Sequence, residues 1–220
     1  IPIETPIRAK LDVAAFQRVL VAGFIAGGTE DVDGNLETTR LLRSQLRTKS
    51  QLRVIDSDVL PLVDVASEGR DSGGAPTTPP PIKEEKDLEA YEHVFANVEY
   101  WKKIGEEYQQ PLIVTGTVMF TPLQRNSIVQ REQEVYDSFG RRRVVPVRTY
   151  MERKGFSLDG RFIFIDGRSG ATLHSESFGE QILYNANQTT PALSSYFELM
   201  DRLIPTFLST LSSQKIKGTR

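Results

Sequence analysis

The stretch FSLDGRFIFIDGRSGATLHSESF, residues 156–178, limits the possible folds more than any other part of the chain. Phe156, Leu158, Phe162 and Phe164 share one face by two-residue alternation, while Ile163 and Ile165 occupy the other. A strand apolar on both faces belongs inside a sheet that is covered on each side. Asp166-Gly167 and Ser169-Gly170 then supply residues that tolerate positive φ, so the chain reverses and Ala171 to Phe178 returns as a paired strand.

Two further runs read as buried strands. RVLVAGFI, Arg18 to Ile25, is continuously apolar and ends at Gly27-Gly28; LIVTGTVMF, Leu112 to Phe120, follows Pro111, with Gly116 marking a close backbone approach or a bulge. Between them, LETTRLLRSQLRTKS places Leu42 and Leu46 one helical turn apart, with Asn35 as a candidate N-cap, and Leu52 to Ile55 reads as a strand. The opening is therefore βαβ, a crossover that is right-handed and parallel in nearly all folds. Leu88, Tyr91, Phe95, Val98, Trp101 and Ile104 recur at helical steps and predict one helix over 88–108. A closing helix carries Leu193, Tyr196, Phe197, Met200, Leu203, Ile204, Phe207, Leu208 and Leu211, with Pro205 expected to kink it.

These elements predict an α/β (α+β) single domain over 15–213. It has a mixed five-stranded sheet in β-α-β-α-β-β-β order, flanking helices and a C-terminal amphipathic helix. Residues 1–14 read as an N-terminal tether, 66–87 as a mobile Pro/Gly-rich loop, 123–150 as a charged insert and 214–220 as a disordered tail. In the 220-residue chain, 27 Lys and Arg stand against 29 Asp and Glu, so no global field favours nucleic acid. The absence of cysteine excludes disulfides, thiolate metal sites and a cysteine nucleophile. The chain opens at Ile1 without methionine, which points to a removed export signal or to trimming.

Reactive chemistry is hard to find. His93 and His174 have no histidine or cysteine companion at ligand spacing, so each reads as structural. Asp31-x-Asp33-x-Asn35 opens like a calcium loop but has Leu36 where the tight turn demands glycine, and reads instead as a helix cap. Gly23, Gly27 and Gly28 precede a helix without matching a phosphate-binding motif. No catalytic residue, cofactor or metal is expected. The one local charge feature lies between Arg125 and Lys154, where Arg131, Arg141, Arg142, Arg143 and Arg148 are the candidate partner-binding residues. They suit an anionic partner such as a lipid headgroup, a polysaccharide or an acidic protein face.

Taken with LRVIDSD, these strands resemble the group of bacterial envelope proteins that contains the curli-secretion lipoprotein CsgG, the amino-terminal domain of TolB and the penicillin-binding-protein activator LpoB. The shared marks are the third strand's VTGTV and a strand-turn-strand matching D-x-x-[ST]-G-x-x-L-x-S at Asp166, Ser169, Gly170, Leu173 and Ser175. The resemblance implies a TolB amino-terminal, anticodon-binding-like fold and a periplasmic location. It also implies a lipid-modified cysteine upstream of Ile1 as an outer-membrane anchor, and a non-enzymatic role in protein contact or export. Partners would be other envelope proteins or further copies of the chain, with no nucleic acid. The insert SIVQREQEVYDSFGRRRVVPVRT, residues 127–149, has charges on both faces and is not expected to face lipid. Two other readings stay open: a ring-forming export component, and an enzyme binding a small molecule or glycan near Gly27-Gly28.

Overall fold

The computed structural model describes residues 3–7, 9–68, 81–185, 188, 190–211 and 214–218. The first half contains β1 (Ile3–Ile7), β2 (Arg18–Gly28), α1 (Gly34–Lys49), β3 (Arg53–Val54), α2 (Leu62–Glu68), α3 (Glu85–Glu89) and α4 (Val98–Glu107). The second half contains β4 (Leu112–Tyr136), β5 (Arg142–Asp166), β6 (Thr172–Asn185), α5 (Ala192–Leu211) and β7 (Gln214–Gly218). Five strands form one mixed sheet in the order β3-β2-β4-β5-β6, with β2 parallel to β3 and β4 and the other neighbours antiparallel.

Both faces of the sheet are covered, as the apolar runs require. On the back face α1 and α5 bury Phe24, Val114, Phe120, Leu158, Phe162 and Phe164. On the front face α2, α3 and α4 bury Leu20, Ile25, Ile113, Met119, Ile163 and Ile165. Phe207 of α5 lies 5.0 Å from the Phe162 ring and 5.8 Å from that of Phe164, contacts worth ~0.5–1.5 kcal/mol each beyond area burial. The Tyr196 hydroxyl, fully buried, meets Thr38 Oγ1 and donates to the Gly34 carbonyl at 3.2 Å, tying α5 to the start of α1. Burial pushes that phenol's pKa up, so it stays a donor.

Several details depart from the sequence reading. The cap of α1 is Asp33, whose Oδ1 accepts the Leu36 amide at 3.0 Å. Asn35 instead turns back onto the sheet and accepts the Phe24 amide at 2.7 Å, beside the β2 bulge where Gly23 has φ +136°. The single helix expected over 88–108 is broken into α3, a 3₁₀ turn at Glu92–Val94 and α4. Two side chains explain the break. Trp101 Nε1 donates to the Val94 carbonyl at 2.9 Å, taking the acceptor a continuous helix would give to Val98, and Asn97 accepts the Tyr100 amide at 3.1 Å and starts α4 afresh. His93 is held between the carbonyls of Ala90 and Ala66, at 3.1 and 3.0 Å.

Both ends of the segment 66–87 are built into the domain. Residues 66–68 are helical, Ile82 is buried with its carbonyl accepting the Gly28 amide at 2.9 Å, and 85–87 belong to α3; residues 69–80 lie outside the described residues. The expected tether and tail also find partners: β1 and β7 pair antiparallel from Ile3↔Gly218 to Ile7↔Gln214. Each short segment satisfies the other's backbone groups, which neither composition could announce. Leu11 and Phe16 are buried, with the Arg168 guanidinium 4.8 Å above the Phe16 ring. α5 runs on through Pro205, which lies on its exposed side.

The turn between β5 and β6 is built on Asp166, which accepts the Arg168 amide at 2.8 Å and the Arg168 guanidinium at 2.9 and 3.0 Å. Burial alone would raise its carboxyl, but the bonds from Arg168 outweigh it and hold the pKa below the ordinary 3.8. A carboxylate depressed in this way adds stability above its unfolded pKa and loses it as pH falls through the folded value. Asp166→Asn is therefore expected to lower the urea midpoint at pH 6, with the gap to wild type closing as the pH drops below 3.8. A gap of equal size at both pH values would contradict this role.

Candidate docking ribbon

β4 and β5 pair without a register shift from Leu112↔Asp166 to Tyr136↔Arg142. Their neighbours stop much sooner: β2 leaves β4 at Phe120, and β6 leaves β5 at Arg153. Beyond Asn126↔Glu152 the two strands continue alone as a ribbon on the order of 35 Å long, at ~3.4 Å per residue. The segment expected as a charged insert is thus the outer half of the two central strands.

Because the register never slips, side-chain parity carries from the core to the tip. Odd-numbered residues, which face α2–α4 in the core, form the ribbon's front face. There Val129, Val145, Val147 and Met151 make a half-buried aliphatic row that ends at Val135. Every charge on this face is an arginine: Arg125, Arg131, Arg143 and Arg153. Arg125 donates to Gln181 Oε1 at 3.0 Å, while Arg131, Arg143 and Arg153 enter none of the ion pairs among the described residues.

Even-numbered residues form the back face, where charges of both signs pair locally. Arg142 meets Glu134 at 3.0 Å, Lys154 meets Glu152 at 3.4 Å, and Gln124 donates to Glu152 at 2.6 Å. Ile128 and Tyr150 face each other there across the strands, both well exposed. The insert does carry charge on both faces, as its sequence suggests, but only the back face mixes the two signs.

The tip is a tight loop organised by one carboxylate. Asp137 Oδ1 accepts the amides of Phe139 and Arg141, both at 2.9 Å, and Oδ2 accepts Arg141 Nε at 3.1 Å. Gly140 takes φ +73° to close the turn, and its amide donates to the Asp137 carbonyl at 2.9 Å. The Arg141 amide holds the Asp137 carboxyl below its ordinary pKa against a weaker opposing effect of burial. Phe139, 81% exposed, projects from this loop with the Arg141 guanidinium 5.3 Å from its ring.

At its base the front face opens into a groove of about 770 Å³ under α3. Its lining includes Glu85, Glu89, Glu92 and Asp159 against Lys86 and Arg161. Glu92 is paired with Arg161 at 2.7 Å, and Asp159 accepts the Ser157 hydroxyl. One continuous face therefore runs from an acidic base, past the paired Arg125 and Arg153, to an aliphatic row interspersed with Arg131 and Arg143.

The five arginines singled out by sequence are not one cluster. Arg131 and Arg143 share the front face, Arg142 and Arg148 lie on the back, and Arg141 is tied into the tip. Sequence reasoning missed the aliphatic row and the acidic groove. The row was signalled on the β5 side by the alternation of Val145, Val147 and Met151; the groove joins residues about 70 positions apart and left no local signal. The Gly27-Gly28 strand end offers little to a ligand, because the Gly28 and Thr29 amides already donate to the Ile82 and Phe120 carbonyls at 2.9 and 2.8 Å. Among the described residues no group of three or more His, Cys, Asp or Glu is placed to hold a metal, and no helix is long and apolar enough to cross a membrane.

No family model matches the chain, and no curated protein matches it. Solved structures similar to it include the PelC dodecamer from Paraburkholderia phytofirmans, with 13% identity over 97% of this chain and 100% of that one and a TM-score of 0.42. The lipoprotein GNA1162 from Neisseria meningitidis shows 13% identity over 87% of this chain and 98% of that one, with a TM-score of 0.38. The LpoB C-terminal domain from Salmonella enterica shows 8% identity over 80% of this chain and 86% of that one, with a TM-score of 0.31. None of these likenesses assigns a residue.

Asp137→Ala is expected to speed hydrogen exchange at the Phe139 and Arg141 amides while shifting global stability by no more than about 0.5 kcal/mol, as for other surface substitutions. Unchanged exchange at those two amides would show that Asp137 does not organise the tip.

Proposed function

We propose that this chain is a non-enzymatic component of the bacterial cell envelope that works through protein contacts, with the ribbon as its docking arm. The observation that carries this reading is the ribbon itself. A two-stranded hairpin is marginal alone in water, yet this one extends the buried sheet outward with both edges unpaired among the described residues and an aliphatic row along one face. Unpaired edges and an apolar row are costs that a partner removes.

The envelope setting rests on the resemblance of the VTGTV strand and the Asp166–Ser175 strand-turn-strand to the CsgG, LpoB and TolB group. In this reading the protein works in the periplasm, held to the outer membrane by a lipidated cysteine ahead of Ile1. The polar residues around the strand ends have structural tasks: Asp33 caps α1, and Asn35 satisfies the amide at the β2 bulge.

Excising residues 126–152 and joining Arg125 to Arg153 through an Asn-Gly turn tests the docking role. The shortened chain is expected to unfold cooperatively near the wild-type midpoint, since the buried core lies outside the excised segment. It should lose the envelope-protein cross-links that a photoreactive residue at Thr149 forms in the intact chain; the matching probe in the shortened chain is placed at Arg153. Cross-links of equal yield without the ribbon would overturn the reading.

A further inference from the structure

The two long edges of the ribbon are not alike. Near its base, the outer side of β4 is still engaged, with the Thr29 amide donating to the Phe120 carbonyl at 2.8 Å. Because β4 and β5 pair without a register shift, the alternation of an antiparallel ladder carries that orientation outward. Even-numbered residues of β4 turn their N–H and C=O away from β5, and odd-numbered ones bond across to it. Pro122 has no donor, but from Gln124 to Tyr136 every even position offers both groups, and no proline interrupts the row. Among the described residues, no backbone group between 122 and 136 bonds outside the β4–β5 ladder. On β5 the residue opposite Glu132 is Pro146, which the same alternation places on the outer side, so that edge lacks a donor near its middle. Proline on an edge guards against strand addition. It guards β5 and leaves β4 open.

On the front side of this open edge stand Arg125 and Arg131, about 20 Å apart at ~3.4 Å per residue, with Val129 between them. Arg125 is steadied by Gln181 at 3.0 Å, Arg131 enters none of the ion pairs among the described residues, and the ribbon's front face holds no acidic residue. On the back side of the same stretch Ile128 is 70% exposed. We infer that the outer edge of β4 accepts an extended acidic segment of another protein as a third strand, laid antiparallel, the more stable pairing per residue. Its backbone would satisfy the free row, and its alternate side chains would set the choice of partner. Opposite neighbours on one face lie about 5 Å apart, so an acidic residue belongs across from each arginine, an aliphatic one across from Val129 and an apolar one across from Ile128. Along the segment this reads acid-x-aliphatic-apolar-x-x-acid. A second copy is a poor occupant. An antiparallel join of two such edges about a two-fold axis keeps both front faces on one side and sets arginine against arginine.

The strand-addition site rests on the reading of the ribbon as a docking arm, and its test is separable from that reading. The probe is the fluorescein-labelled peptide Thr-Glu-Thr-Val-Ile-Thr-Thr-Glu-Thr, titrated against the full chain. Residue-resolved hydrogen exchange under saturating peptide is expected to slow the even-numbered amides from Gln124 to Glu132 about tenfold or more, while the odd-numbered amides, already bonded to β5, change little. Ile128→Pro removes one outward donor and no ladder bond, and should abolish binding. Arg131→Glu should weaken binding about tenfold, with recovery when the peptide's first Glu is replaced by Lys. Circular dichroism and the unfolding midpoint establish that each variant is folded. The peptide supplies a test that needs no variant of the chain: methylating its isoleucine nitrogen, which faces β4, should abolish binding, and methylating its valine nitrogen, which faces water, should not.

No binding at millimolar peptide would overturn the inference, as would protection that ignores the even and odd alternation or binding that survives both Ile128→Pro and the methylated isoleucine. Ribbon-dependent cross-links that persist in Ile128→Pro would overturn the open edge and leave the docking arm as it stands, whereas cross-links that do not need the ribbon count against the docking arm alone. Two other occupants are separable outcomes, and either would overturn the inference. Flotation with phosphatidylglycerol vesicles, lost in Arg131→Glu but kept in Ile128→Pro, would assign the arginines to a lipid surface. A dimer in sedimentation velocity that Ile128→Pro dissolves would assign the edge to a second copy.

Discussion

The uninterrupted ladder between β4 and β5 is the constraint on which everything else here depends. At its inner end the ladder is locked by burial: Ile113, Ile163 and Ile165 point into the front layer, and Val114, Phe120, Leu158, Phe162 and Phe164 into the back layer. A slip of one residue would exchange these two sets and put the phenylalanines under α3 and α4. The outer end has no core of its own to fix a register, so it inherits that of the base. The arginine-only front face of the ribbon is therefore set by apolar packing more than twenty ångströms away, at ~3.4 Å per residue.

What the sequence made readable follows from the same physics. Strands buried on both faces stand out as apolar runs, so RVLVAGFI, LIVTGTVMF and RFIFID were placed, and α5 was legible from its helical period. Where side chains rather than periodicity decided the structure, the reading failed. Helical spacing from Leu88 to Ile104 is genuine, but Trp101 takes the Val94 carbonyl and Asn97 restarts the helix. Asn35 and Asp33 are both good caps by residue type; the amide left by the bulge at Gly23 decides between them, and no local pattern reveals that bulge.

The ribbon was half legible for a different reason. With water on both sides, its strands carry no dense apolar run, and the mixed charges between Arg125 and Lys154 read as a solvated insert. Once the register is known, the same residues separate into a front face with one sign of charge and a back face whose ion pairs close on themselves. The acidic groove was beyond local reading altogether, since it joins α3 to β5 and exists only after the sheet is covered.

The central claim is that the ribbon is an ordered continuation of the core sheet and that its faces are fixed by the core's register. Residue-resolved native-state hydrogen exchange tests it most directly. The account predicts that the slowest amides lie at 112–120 and 158–165, and that amides paired across β4–β5 between Asn126 and Tyr136 exchange faster than these but well below unfolded-chain rates. Ribbon amides exchanging at unfolded-chain rates in the intact protein would contradict it.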